Sequence, residues 1–272
     1  MVYYVTECYE EVSQRYFINM KVLITNDDGI YAEGLWALYR TFIKNHSVTV
    51  VAPDRERSAV SHAITLHEPL RAKRVNLDGG FPGYAVNGTP VDCIKLGILE
   101  ILGCKPDVVV SGINPGANVG VNLNYSGTVA AAKEASFYGV SAIAVSIQGY
   151  ETKYLDDAAF FIEKLTEKVV EKGLPFGTFL NVNLPGMSVG EAAGVRISRQ
   201  GIDIFPEFFE KRVDPRNRVY YWQGYDTNPS VYNPDTDGAA LCDNYISITP
   251  IKCDMTDDSM MEALKEWNIN KI

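Results

Sequence analysis

The sequence predicts an α/β fold: a doubly wound, mainly parallel sheet with helices on both faces, Rossmann-like in layout, followed by C-terminal β-hairpin and helix elements that serve oligomerisation. Three observations predict it. Short and almost wholly apolar runs alternate with segments of helical period, the pattern of strands buried on both faces of a parallel sheet. Turn-forming residues punctuate each change of period. After about Gly194 the alternation gives way to short, aromatic-rich strand segments. With 272 residues, 46% of them apolar, the chain is long enough to bury such a core without a disulfide or metal staple.

The elements follow in order. Lys21–Thr25 is a buried strand closed by the turn Asn26-Asp27-Asp28-Gly29. Leu35, Leu38, Tyr39, Phe42 and Ile43 mark one face of a helix. Ser47–Ala52 is a second strand, closed by Pro53. Ala63–Val86 carries period-two stretches and the Gly79-Gly80 turn, a strand excursion. Thr89 caps a helix with Pro90 at its first position and Asp92 in its first turn; Val91, Ile94, Ile98 and Leu102 keep the period until Gly103. Asp107–Ser111 is a third buried strand, and a Gly- and Asn-rich loop runs from Gly112 to Asn124. Ser126 opens another helix, Ala142–Ser146 is a strand, Leu155–Lys172 is a helix stopped by Gly173, and Thr178–Asn183 is a fifth strand. Beyond it, Val219–Trp222 and Tyr245–Thr249 read as strands and Ser259–Trp267 as a helix. The domain organisation is thus an extension over 1–19, an α/β catalytic core over 20–194 and an oligomerisation region over 195–272.

Charge and cysteine usage narrow the function. The net charge of −9 lacks the basic field that a nucleic-acid partner requires, yet leaves room for a locally positive phosphate site. The five cysteines are odd in number and widely spaced, which fits free thiols in a reducing compartment; Cys93 and Cys104, flanking a helix, read as core. No apolar run approaches the roughly 20 residues of a membrane span. Met1–Asn19 is Tyr- and Glu-rich, unlike a signal peptide, and is expected to be dispensable.

In an open parallel sheet ligands bind beyond the carboxyl ends of the strands. Three loops fall there: Asn26–Gly29, Asp54–Ser58 and Ser111–Asn118. Adjacent Asp27 and Asp28 repel, and a hard cation relieves that cost. Ser58 and Asn114 add neutral oxygens, a donor set suited to Mg²⁺ or Mn²⁺ rather than Zn²⁺. The competing reading is that Asp27 and Asp28 only form a turn. Ser126-Gly127-Thr128 opens a helix whose free N–H groups suit a phosphate, although an ordinary capped helix start looks the same. Neither a P-loop nor a G-x-G-x-x-G follows the first strand. His46 reads as a surface turn residue, and His62, four residues after Ser58, as a surface residue within reach of the site. Arg55 and Arg57 are alternative phosphate holders. Phe205, Phe208, Phe209, Tyr220, Tyr221 and Trp222 suit either a base platform or a subunit contact.

The combination is specific. Leu23–Ile30, Val50–Arg55 with Arg57-Ser58, Gly88–Cys93, Val109–Asn114 and Tyr125–Ala132 closely resemble, in order, the motifs of the SurE family, metal-dependent nucleotidases and acid phosphatases of nucleoside monophosphates. The likeness extends from Met20 to Ser247–Pro250. It implies one divalent cation on Asp27, Asp28, Ser58 and Asn114, a phosphate on Asn118 and Ser126-Gly127-Thr128, and a cytoplasmic homodimer or homotetramer that exchanges C-terminal elements. Ala59 departs from the family's usual Gly.

The expected reaction is hydrolysis of nucleoside 5′-monophosphates, with 3′-nucleotides and short polyphosphate as further candidates. Asp27 or Asp28 would accept the proton of the attacking water. A haloacid-dehalogenase phosphatase needs D-x-D, which adjacent Asp27 and Asp28 do not provide. A non-catalytic nucleotide sensor would share the loops, but the presence of all four ligand positions favours catalysis.

Overall fold

The computed structural model describes residues 19–76, 80, 82–151, 153–202, 207–225, 233–267 and 269. The expected extension before Met20, Asn19 apart, lies outside the described residues, as do Phe205 and the stretch 226–232.

One nine-stranded sheet organises the chain. Its strands are β1 (Lys21–Thr25), β2 (Ser47–Pro53), β3 (Ala72–Asn76), β4 (Pro82–Val86), β5 (Val108–Pro115), β6 (Ser141–Ile147), β7 (Thr178–Leu184), β8 (Val195–Ile197) and β11 (Ile246–Lys252). They lie in the order β3-β4-β2-β1-β5-β6-β7-β11-β8. From β4 through β7 all neighbours are parallel, while β3 and β11 are antiparallel to β4 and β7. The chain starts on β1, steps outward to β2, and returns to β5 on the other side of β1. Winding therefore reverses between β1 and β5, the place where the loops part and leave a crevice.

Helices cover both faces because the strands are apolar on both. α1 (Glu33–Phe42) and α4 (Leu155–Lys172) pack on one face, where Ile24, Leu38, Phe42 and Ile162 are fully buried. α2 (Pro90–Leu96) and α3 (Gly127–Phe137) cover the other against Leu23, Val109, Ile94 and Ala131. α2 begins as its sequence dictates: Thr89 and Asp92 form a reciprocal capping box with Pro90 in the first turn. Asp92 also accepts the N–H and hydroxyl of Thr65, at 3.1 and 2.6 Å, and so ties down the segment before β3.

The C-terminal third carries the expected hairpin, strand and helix, and part of it joins the main sheet. A boundary at 194/195 cuts through the sheet, since β8 and β11 are two of its strands. β7 presents an open edge of unpaired N–H and C=O groups, and β11 fills it in antiparallel register. Only β9 (Glu207–Val213) and β10 (Val219–Tyr225) stand apart, as a two-stranded sheet of their own. α5 (Asp237–Cys242) packs against β11, and α6 (Asp258–Glu266) has no buried residue. Two smaller expectations also fail. His46 is buried, with Nε2 3.4 Å from Glu163 Oε1, because α4 closes over the turn before β2. Cys104 is exposed beyond the end of its helix, whereas Cys93 is core.

α1 approaches the sheet so closely that a Cβ on Gly34 would stand 2.0 Å from the Ile113 carbonyl oxygen. Gly34→Ala should therefore destabilise the fold by about 3 kcal/mol, the upper range for overpacking, as a lowered urea midpoint will show.

Candidate active site

Asn26 closes the turn after β1 by itself. Its side-chain amide donates to the Gly29 carbonyl at 3.1 Å and accepts the Gly29 N–H at 3.2 Å. The side chain that closes the turn is thus that of Asn26, not of Asp27 or Asp28. Asp27 is buried, and Thr128 Oγ1 donates to its Oδ1. Burial pushes the Asp27 carboxyl above its ordinary value, and the Thr128 hydroxyl with the amides of Thr128 and Gly127 partly offsets this. A Cβ on Gly127 would lie 2.8 Å from Asp27 Cβ, so glycine is required for the first turn of α3 to reach the carboxylate.

The start of α3 faces an anion of the chain itself, Asp27. Thr128 is fully buried, so its hydroxyl faces that carboxylate rather than the open crevice. Ser126 is the N-cap and accepts the Val129 N–H at 3.2 Å.

Asp28 has no such support. Its Oδ2 is buried without a hydrogen-bond partner among the described residues. Burial, then the charges of Asp27 and Glu56, push its carboxyl up to about 7. An orphaned carboxylate oxygen beside a second buried carboxylate is the signature of a missing positive partner.

The neutral donors arrive on neighbouring loops. Arg57 donates its N–H to the Asp27 carbonyl at 2.7 Å, which brings adjacent Ser58 alongside the turn. The Ser58 hydroxyl donates to Glu56 Oε1 at 2.6 Å and keeps its lone pairs. The Arg57 guanidinium donates to the Asn87 carbonyl at 2.9 Å and so braces the loop, while its Nε has no hydrogen-bond partner among the described residues. Ala59 has φ +54° and Ser61 φ +54°; the left-handed turn explains why glycine suits position 59. Thr25 and Ser111 are paired in the β1–β5 ladder, which places Asn114 beside the Asp27-Asp28 turn. The Asn114 amide nitrogen donates to the Gly116 carbonyl at 2.7 Å, leaving its oxygen for a ligand. Asp27, Asp28, Ser58 and Asn114 thus all lie on loops at the β1/β5 reversal. Two carboxylates plus neutral oxygens fit a hard cation, and among the described residues no group of three His, Cys, Asp or Glu offers another centre.

Asn118 stands farther off. It is held over β6 and β7 by Ser146, Asn181 and Asn183, two to three strand positions from β1, on the order of 10 Å. These holders were not read from the sequence, although the two Asn of Asn181-Val-Asn183 share one face of a strand and are out of place in a sheet interior. His62 leaves the site: its Nε2 lies 2.7 Å from Glu134 Oε2 on α3, and Lys95 Nζ is 3.4 Å from the other oxygen. Asp237 was also missed. Buried on α5, it accepts N–H groups of Gly120, Gly201 and Gly238 at 3.0, 3.0 and 2.9 Å, anchoring the far end of the site loop.

The family model described as "Survival protein SurE" matches residues 22–206. The chain belongs to the SurE family. It is 57% identical over 252 residues to "5'-nucleotidase SurE" of Desulfatibacillum aliphaticivorans, covering 93% of this chain and 100% of that relative. A second relative of the same name, from Syntrophobacter fumaroxidans, is 46% identical over 253 residues, covering 92% and 100%. The crystal structure of the SurE protein from Aquifex aeolicus superimposes with a TM-score of 0.81 at 36% identity, covering 91% of this chain and 99% of that one. The SurE fold therefore spans nearly the whole described chain, including the strands that follow residue 194.

Asp28 gives a pH test. An Asp with a folded pKa raised from 3.8 to about 7 binds its proton more tightly when folded, so its penalty is absent below about pH 4 and complete above about pH 7. In metal-stripped protein, Asp28→Asn should match the native chain near pH 4 and become the more stable of the two as pH rises to 8. Denaturation midpoints across that range, with and without Mn²⁺, will check both the sign and the reversal of the difference by the cation.

Proposed function

We propose that this chain is a 5′-nucleotidase that hydrolyses nucleoside 5′-monophosphates to nucleoside and phosphate. The observation that carries the reading is the orphaned Asp28 carboxylate beside buried Asp27 at the winding reversal, in a chain whose relatives are named 5'-nucleotidase SurE. Asp27, Asp28, Ser58 and Asn114 would hold one Mg²⁺ or Mn²⁺. Bound there, the cation supplies positive charge to a phosphate oxygen and acidity to water. The chain's own groups do the rest. Thr128 and the Gly127 amide partly offset the cost of burying Asp27 and fix its orientation. The carboxylate pair accepts the proton of the attacking water. Asn118 and the Ser126-Gly127-Thr128 turn orient the phosphate, the turn through its N-terminal amides and its hold on Asp27.

A nucleotide sensor without catalysis is the second reading, and turnover separates the two. Phosphate release should occur from nucleoside 5′-monophosphates, stop with EDTA, and return with Mg²⁺ or Mn²⁺. Asp27→Asn and Asp28→Asn should each lower kcat by roughly a hundredfold or more while leaving the fold intact by circular dichroism. Near-native rates in both variants would remove the carboxylates from the mechanism.

The assembly we infer is a homodimer or homotetramer. The β9–β10 hairpin pairs only with itself among the described strands, yet Phe209 is 64% and Trp222 59% exposed. An isolated hairpin is marginal in water, and a second subunit would cover these aromatics together with Met260, Met261 and Leu264 on α6. Light scattering over a dilution series should give at least twice the 30.1 kDa chain mass. The paired change Tyr221→Ser with Trp222→Ser should shift it toward monomer. Cytoplasmic action fits the free thiols, and among the described residues no helix is long and apolar enough to cross a membrane.

A further inference from the structure

The loop that leaves β5 crosses the ends of β6 and β7, and three buried polar side chains meet it at one residue. Asn183 Oδ1 accepts the Asn118 N–H at 2.8 Å, and Asn183 Nδ2 donates to the Asn118 carbonyl at 3.1 Å. The same carbonyl accepts from Asn181 Nδ2 at 2.8 Å. Ser146 Oγ accepts from Asn118 Nδ2 at 2.8 Å. Asn181, Asn183 and Ser146 are fully buried.

None of these side chains is needed for the sheet. β7 makes its ladder with backbone groups, and Phe179 and Val182 supply the packing. A buried amide costs free energy unless it is hydrogen-bonded, and Asn181 Oδ1 finds no partner at all. Apolar residues would suit these positions better if folding were the only demand. Together the contacts fix both the peptide and the side chain of Asn118. Its amide nitrogen carries two hydrogens: one is given to Ser146, and the other is left in a set direction for a ligand. Ser146 also faces Asn114 across the β5–β6 ladder and Asn183 across β6–β7, so a single row links the candidate cation ligand to the phosphate contact.

We propose that Asn183 and Ser146 are positioning residues of the hydrolytic reaction, acting through Asn118 by aiming its free amide N–H at the substrate phosphate. The proposal rests on the reading that Asn118 meets that phosphate.

The test is a mutant cycle on the full chain with Mn²⁺ present: Asn118→Ala, Asn183→Ala, Ser146→Ala, and each of the last two combined with Asn118→Ala. The readouts are kcat/KM for a nucleoside 5′-monophosphate and inhibition by inorganic phosphate. Asn183→Ala should lower kcat/KM on the order of a hundredfold, the scale of a misplaced contact. Ser146→Ala, which touches only the side chain, should lower it roughly tenfold and weaken phosphate inhibition in parallel. On the Asn118→Ala background both losses should vanish, because residues that act through one another are not additive. A purely structural role would lower the melting temperature and add in full. Full additivity, or native kcat/KM in both single variants, overturns the inference. If Asn183→Ala does not fold, the Ser146→Ala cycle decides alone. Native activity and phosphate inhibition in Asn118→Ala would instead overturn the parent reading of Asn118, and this inference with it; a damaging Asn118→Ala with additive partners overturns only the inference.

Discussion

Two carboxylates on consecutive residues at the buried end of β1 are the constraint around which the site is arranged. Adjacent negative charges in a low-dielectric crevice are costly, and the chain meets that cost unequally. Asp27 is given the first turn of α3: the Thr128 hydroxyl, the Gly127 and Thr128 amides, and a glycine small enough to allow the approach. Asp28 is given nothing, and its Oδ2 remains unpartnered. One carboxylate is thus locked in place by the fold, and the other keeps an oxygen unpaired among the described residues. The asymmetry also fixes α3 against β1, so the helix that supplies amides to the site is positioned by the acid it neutralises.

The loops around this pair are held from outside the crevice. Arg57 donates to the Asn87 carbonyl, Asp237 gathers Gly120 and Gly201, and Glu134 is shared by His62 and Lys95. Burial works to raise the Glu134 carboxyl, but the bonds to His62 and Lys95 prevail and hold it below its ordinary value. The segment carrying Ser58 is therefore fastened to α3 by an ion cluster, while Ser61 bonds the Tyr125 and Asn124 carbonyls at 3.0 and 2.8 Å. A site built from loops acquires the precision of its scaffold in this way.

Net charge and substrate charge have the same sign here, at −9 for the chain. The N-terminus of α3 opposes that field locally, since its N–H groups face the crevice. The acidic remainder of the surface disfavours long polyanions, which separates a small nucleotide from nucleic acid as a partner.

Much of the molecule was legible in the sequence. The uninterrupted apolar strands, the Thr89-Pro90 and Ser126 helix starts and the Gly173 stop all lie where local chemistry demands, because capping and periodicity are short-range effects. The candidate ligands Asp27, Asp28, Ser58 and Asn114 were legible for the same reason: they sit at strand ends, and motif order marks them. The pairing of β11 with β7 was not, since an edge strand is chosen by which edge lies open, more than sixty residues away. Nor was the burial of His46, which depends on α4 arriving over it, nor the seating of Thr128 on Asp27, a contact 101 residues apart. By itself the sequence determined which residues carry charge, cap helices and line the strand ends. Only the tertiary structure decided which of those groups satisfy one another, because a buried polar atom's partner is set by the packing of distant elements and not by its neighbours in the chain.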